Sequence, residues 1–271
     1  MSINHPGTLG FLGFGNMGSA ILEGLVSQQV WPADRAIIFD PSEERQAQGA
    51  KLGVRLAPTA REAAAASDVL VMAVTPQTMQ EALADIKDSI KPGTLLVSIA
   101  AGISTTFYES RLGAGVRVVR VMPNTPCLAR AGATGIAPGA HSTPEDAALV
   151  KSLFESIGIA EIIAEKDMDA LTAISGSGPA YFFYLVECLT EAGIDEGLDA
   201  KIAKRLAEQT LYGAGCLLHS SEDDAGTLRE KVTSRGGVTE AALRQYREDG
   251  LPDVVKRAIR AAVEKSAALG Q

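Results

Sequence analysis

An apolar run, Thr8-Leu-Gly-Phe-Leu-Gly13, stops at Gly13-Phe-Gly-Asn-Met-Gly18 and is followed at once by a helical pattern, Ser19-Ala-Ile-Leu-Glu-Gly-Leu-Val26. Glycines spaced G-x-G-x-x-G mean little alone, but a strand before and a helix after restrict the backbone to one kind of turn. Gly13 permits the tight turn, Gly15 lets the backbone approach a pyrophosphate, and Gly18 lets helix and strand pack closely. Phe14, Asn16 and Met17 complete the loop, whose free N–H groups at the helix start attract phosphate. The next strand pattern, Ala36-Ile-Ile-Phe39, ends in Asp40. That is about 20 residues past the last glycine, where an acidic side chain would hold ribose hydroxyls. This opening predicts an α/β dinucleotide-binding fold of the Rossmann type.

The periodicity then alternates: helix 43–52, strand 54–56, helix 60–66, strand 68–74, helix 77–90, strand 94–100, helix 104–112 and strand 116–122. Runs such as Val69-Leu-Val-Met-Ala-Val74 are apolar without alternation, as parallel strands are when helices cover both faces. Ligands of such sheets sit at the carboxyl edge. That edge holds the candidate cofactor contacts Ala73, Val74, Pro76, Ala100, Ala101, Gly102 and Asn124. Asn124 is a candidate to orient a nicotinamide, with a structural turn as the alternative. A sheet segment at 134–137, a helix from 144 to 157 capped by Thr143 and a strand near 161–163 complete a first domain, residues 1–165.

Residues 166–271 read as all-helical, with segments at 168–175, 179–192, 201–219, 225–233, 239–249 and 252–268. Pro179 suits the first turn of its helix. The helix Ala180-Tyr-Phe-Phe-Tyr-Leu-Val186 has no polar side, which calls for burial. Burying several such helices with about 100 residues is easier in a homodimer than in a monomeric bundle, the alternative reading. Tyr181–Tyr184 is expected in the core or the interface. Between two helical stripes, Ser234-Arg-Gly-Gly-Val-Thr239 breaks the pattern. Its glycines uncover backbone amides, and Thr239 can cap the next helix, so the turn can grip a small carboxylate. An ordinary helix–turn–helix connection is the plainer reading.

The net charge of −8 and the absence of a basic cluster argue against nucleic acid. No apolar run reaches membrane-span length, and the first seven residues lack a signal-peptide pattern. Cys127, Cys188 and Cys216 are widely spaced and read as reduced thiols, small core residues of a cytoplasmic protein. His5, His141 and His219 are equally scattered, so no metal site is expected.

The chain resembles the Δ1-pyrroline-5-carboxylate reductases over its whole length. The resemblance runs through Gly13–Gly18, Ala73-Val-Thr-Pro76, Ser98-Ile-Ala-Ala-Gly102, Arg120-Val-Met-Pro-Asn-Thr-Pro126, Ser175-Gly-Ser-Gly-Pro-Ala-Tyr181 and Val232-Thr-Ser-Arg-Gly-Gly-Val-Thr239. It implies a Rossmann domain followed by an all-α dimerisation domain, and an active site combining one subunit's nucleotide domain with a neighbour's helices. The implied reaction is hydride transfer from NADPH or NADH to the C=N carbon of 1-pyrroline-5-carboxylate, giving L-proline. In that picture Thr239 is the catalytic hydroxyl at the ring nitrogen, and the amides of Gly237, Val238 and Thr239 hold the carboxylate. Ser234 assists and Gly236 completes the turn. Glu222 is a further candidate to face the imine nitrogen, a solvated helix cap being the alternative. Three departures stand out: Thr75 where the family commonly has Lys, Arg235 where it has Pro, and Asp40 where small hydroxyl residues are usual. Asp40 favours NADH or dual use, while Ser42 and Arg45 are near enough in sequence to offset it. The rivals are a β-hydroxyacid dehydrogenase, disfavoured because 175–190 contains no Lys, a broader cyclic-imine reductase, and a non-catalytic dinucleotide sensor.

Overall fold

The computed structural model of the chain describes residues 7–113 and 115–269, so His5 and the first residues lie outside the described part. Among the described residues one sheet contains eight strands: β1 Leu9–Leu12, β2 Ala36–Phe39, β3 Arg55–Leu56, β4 Val69–Met72, β5 Leu95–Ser98, β6 Arg117–Met122, β7 Gly132–Pro138 and β8 Gly158–Ile162. Their order is β3-β2-β1-β4-β5-β6-β7-β8. The strands from β3 to β6 are parallel, β7 runs antiparallel to β6, and β8 is parallel to β7. From β1 the chain builds outward to β2 and β3, then returns to place β4 on the other side of β1. The reversal opens a crevice at the carboxyl ends of β1 and β4, where ligands of open α/β sheets bind.

Helices α1 Asn16–Ser27, α2 Glu43–Lys51, α3 Ala60–Ala66, α4 Pro76–Ile86, α5 Thr105–Leu112 and α6 Pro144–Glu155 flank the sheet. Alternate strand residues supply two separate cores. Leu9, Phe11, Val71 and Val97 belong to one with Ile21 and Leu25 of α1 and Phe154 of α6. Leu12, Leu70 and Leu96 belong to the other with Met79 and Leu83 of α4 and Tyr108 of α5. With both faces covered, uninterrupted apolar strands are required. Ser42, Thr59 and Ser104 accept from first-turn amides, and Thr143 with Asp146 forms a reciprocal capping box. α4 ends four residues short of its expected end, because the Ser89 amide turns back to Ile86 O at 2.8 Å.

After α7, Met168–Leu171, the expected break at 175–178 is not a loop. A π-turn, Thr172–Gly176, carries the path onward, with the Ser177 amide donating to Thr172 O at 2.9 Å. Then follow α8 Gly178–Asp195, α9 Ala200–Ser220, α10 Ala225–Lys231, α11 Val238–Glu248 and α12 Leu251–Leu269.

The chain divides into two compact units: the described residues of Met1–Ser177 with Ala262–Gln271, and Gly178–Ala261. The first unit thus extends past the change of period at 165 and reclaims the end of α12. There Ser266 Oγ donates to Asp169 Oδ1 at 2.7 Å. In the second unit α8 meets α9 where Gly193 faces Ala203, and Ala203 and Ala207 are buried. Phe182, Phe183 and Tyr184 of α8 and Leu206 and Tyr212 of α9 are exposed in the single chain. Cys188 and Cys216 are exposed as well, contrary to the expectation of core thiols, because they lie on these uncovered helices; Cys127 is buried. Among the described residues no helix is long and apolar enough to cross a membrane, and no cluster of metal-ligating side chains occurs.

Candidate active site

Gly13 has φ +91°, and a Cβ there would stand 2.6 Å from Ala73 O. No other residue can turn so tightly against the end of β4. Its amide donates to Phe39 O at 2.9 Å, and the Ala73 amide donates to Leu12 O at 2.8 Å. Gly18 is packed closely too: a Cβ there would stand 2.8 Å from Gly13 O and 3.2 Å from Ala73 Cβ. Gly15 is the N-cap of α1 without a side-chain cap, and no intrachain acceptor engages the amides of Gly15, Asn16, Met17 or Gly18 among the described residues. These unspent donors fit a pyrophosphate. Above Gly15 the nearest atoms to a built Cβ belong to Arg45, at 3.6 Å and beyond, so the cradle is open there and walled by a guanidinium.

Asp40 departs from expectation. Its carboxylate is 1% exposed and accepts from Phe14 N at 2.7 Å and Ser42 N at 2.9 Å, with Arg45 Nη1 at 3.4 Å. The side chain turns into the protein and braces the glycine loop instead of facing a ribose. The reason is local: the loop exposes a buried amide at Phe14, and an unpaired buried N–H is costly. The Gln46 side chain holds the Asp40 carbonyl at 2.7 Å, and Ser42 caps α2.

At the end of β4, Ala73 and Val74 are half-buried and Pro76 occupies the first turn of α4. At the end of β5, Ser98 Oγ accepts from Ala100 N at 3.3 Å and bonds the buried Tyr108 hydroxyl. Burial pushes Tyr108 up to about 12, against the opposing pull of Ser98 and Arg120. Arg120 in turn reaches Glu165 at 3.5 Å, and Glu165 accepts from the Thr105 amide and hydroxyl at 2.7 and 2.6 Å. This chain of polar contacts, buried at Ser98 and Tyr108 and partly exposed at Glu165, ties the end of β5 at Ala100 to α5 and β6. Gly102, expected as a cofactor contact, has φ +76° and is covered by Leu269, whose Cβ would lie 3.0 Å from an added Cβ. The end of α12, invisible to any motif, explains this glycine. Asn124 is buried, with Oδ1 accepting from Ala133 N at 2.8 Å and Nδ2 donating to Ser175 O at 3.0 Å. Its amide is committed to β7 and the π-turn, so the structural alternative describes what it does.

In the second unit the turn from α10 to α11 places Ser234, Gly236, Gly237, Val238 and Thr239 together. Gly236 has φ +72°. The N-cap of α11 is Gly237, not Thr239, which lies one position inside the helix. The Gly237 amide is spent on Ser234 O at 3.0 Å. The Gly236 amide donates to Glu240 Oε2 at 2.7 Å. Amides of Val238 and Thr239 find no acceptor among the described residues, and neither does the Thr239 hydroxyl. Glu240 was missed, although a glutamate three residues past an N-cap is a known helix-start signal. Glu222 is exposed and caps nothing; Asp224 caps α10 through the Thr227 amide at 2.7 Å, which holds its carboxyl below the usual range.

A mostly parallel sheet with reversed strand order, a glycine loop with unspent amides and an all-helical second unit define a dinucleotide-dependent oxidoreductase of the Rossmann type. Residues 8–102 match the model described as NADP oxidoreductase, coenzyme F420-dependent, and residues 165–269 the model described as pyrroline-5-carboxylate reductase dimerisation. The chain is 40% identical to a pyrroline-5-carboxylate reductase of Pseudomonas aeruginosa over 265 residues, 97% of each chain. A solved reductase structure from Coxiella burnetii superposes with TM-score 0.93 at 32% identity, covering 98% of this chain and 100% of that one. The Plasmodium falciparum reductase, solved with NADP bound, gives 0.86 at 33%, covering 98% and 99%. The chain belongs to the pyrroline-5-carboxylate reductase family.

Proposed function

We propose that this chain reduces 1-pyrroline-5-carboxylate to L-proline with NAD(P)H, the last step of proline synthesis. The full-length match to reductases of that name carries the reading, and the hairpin 234–239 supplies the chemistry. Residues 1–165 take the dinucleotide: the amides of 15–18 hold the pyrophosphate, while Phe14, Ala73, Val74, Pro76, Ala100 and Ala101 line the carboxyl edge. Reduced nicotinamide, when bound, supplies the hydride. The Val238 and Thr239 amides hold the substrate carboxylate at the positive end of α11, with Ser234 beside them. Gly237 and Gly236 shape the turn, their own amides being spent. The Thr239 hydroxyl bonds the ring nitrogen and steadies its proton. A protonated C=N is already electrophilic, so no Lys or His acid is needed, and holding the reactants in place is the main source of rate.

Residues 166–271 assemble a homodimer, supported by the match to a dimerisation model and by the uncovered apolar faces of α8 and α9. Free thiols at Cys127, Cys188 and Cys216 fit a cytoplasmic location. The deciding experiment follows absorbance of the reduced nicotinamide after adding 1-pyrroline-5-carboxylate. Oxidation of either cofactor with formation of proline is expected. No oxidation with NADPH or NADH would defeat the reading and favour a dinucleotide sensor.

A further inference from the structure

We infer that Arg235 is a specificity-determining residue, its guanidinium binding the substrate carboxylate beside the Val238 and Thr239 amides. The inference rests on the functional reading above and adds to that site a side chain selecting an anionic substrate.

Ser234-Arg235-Gly236-Gly237 is a tight turn, closed by the Gly237 amide on Ser234 O at 3.0 Å. Gly236, its third residue, has φ +72°, whereas Arg235 is not among the residues of positive φ. Positive φ at the third position alone is the type II arrangement, whose second position favours proline. The Arg235 amide donates to no backbone acceptor among the described residues, so proline would break no ladder or turn bond there. Arg235 thus runs against the preference of its own turn. It runs against a second preference by charge. It stands two positions ahead of Gly237, the N-cap of α11, at the positive end of the helix dipole, where a cation is unfavourable. Residues that break local rules without a gain to the fold mark functional positions.

Neighbouring acids do not supply that gain. Glu240 accepts from the Gly236 amide at 2.7 Å, Glu230 meets Arg229 at 3.6 Å, and Asp223 meets Lys231. Arg235 itself is exposed, and a Cβ built on the adjacent Gly236 meets nothing within 4 Å, so this side of the turn is open. A carboxylate offers about four lone-pair sites, of which two amides fill two, leaving room for a guanidinium fork. Once an anion sits between them, the guanidinium and the helix end both attract it. The net charge of −8 repels an anionic substrate at long range, and a cation in the hairpin offsets that locally. A cyclic imine without a carboxylate would gain nothing from these donors, which is the selection assigned to Arg235.

The test is steady-state kinetics of the full-length protein on 1-pyrroline-5-carboxylate, comparing wild type with Arg235→Gln and Arg235→Pro, with melting temperatures for all three. In both variants KM is expected to rise about five- to tenfold, as loss of a charge-assisted contact implies. The turnover number kcat should stay within about twofold, the mark of binding lost equally from ground and transition states. Melting temperatures should match or exceed wild type, since both local conflicts are relieved. The Gln-to-wild-type ratio of KM should shrink between about 0.05 and 0.5 M salt, as screening removes what the charge contributed. Unchanged KM in both variants, a rise in only one of them, a ratio that salt leaves fixed, or a melting temperature that falls as KM rises overturns the assignment. Turnover in wild type with unaltered variants sinks this inference alone; no turnover in wild type with either reduced cofactor sinks the functional reading and the assignment with it.

Discussion

Thr239 carries a hydroxyl that its helix does not use, because Gly237 takes the N-cap. Removing it should therefore disturb chemistry more than folding. Thr239→Val is expected to lower kcat/KM by roughly one to two decades, the loss of one hydrogen bond to a charged group, at nearly unchanged melting temperature. Normal turnover in that variant would take Thr239 out of the mechanism. Tyr108 makes a prediction of a different kind. Its folded pKa, about 12, exceeds the ordinary value of 10.0, so the fold favours the protonated phenol. That stability is intact below pH 10 and is lost as pH rises through 12, by about 2–3 kcal/mol in all. Urea midpoints should fall across that window in wild type, and Tyr108→Phe should flatten the fall; an equal fall in both would assign it to other groups. At this scale the sequence revealed residue type more readily than direction. An acid after β2 was legible, but whether Asp40 turns to a ribose or to the Phe14 amide depends on a χ angle, which no spacing encodes.

Among the elements, the π-turn Thr172–Gly176 has an identifiable anchor: Asn124 Nδ2 meets the Ser175 carbonyl inside it, while Oδ1 holds the start of β7. Asn124→Ala leaves a partly buried carbonyl and amide without partners, and is expected to cost about 2–4 kcal/mol. Chemical denaturation would read this directly. Asn124→Asp keeps the acceptor toward Ala133 but loses the donor toward Ser175, so it should fall short of wild type. Equal stability of all three proteins would show that the bridge contributes nothing. Strands and helices of the first unit were legible because apolar runs, breakers and caps such as Thr143 with Asp146 agree with one another. The π-turn was not, since one extra residue per turn is below the resolution of a hydrophobic pattern, and Ser-Gly-Ser-Gly reads as a loop. The antiparallel entry of β7 was equally hidden, because pairing direction leaves no mark in composition.

For the molecule as a whole, the exposed aromatic run on α8 calls for a partner surface. Phe182 and Phe183 are 56% and 59% exposed in the single chain, and aromatic side chains concentrate at protein interfaces. Light scattering should give at least twice the chain mass, and Phe183→Asp should shift the protein toward the monomer with loss of activity; a wild-type monomer would refute the homodimer. The change of period at 165 was legible, yet the compact first unit runs to Ser177 and regains residues 262–269. Contacts between distant segments decide that boundary, and Leu269 against Gly102 is one that no local pattern announces. In topological terms the helical unit is therefore an insertion, entered at 178 and left at 261. Anyone cutting the gene at the apparent domain border would remove Ser266 and Leu269 from the nucleotide half; a faithful fragment has to splice residues 262–269 of the last helix back on.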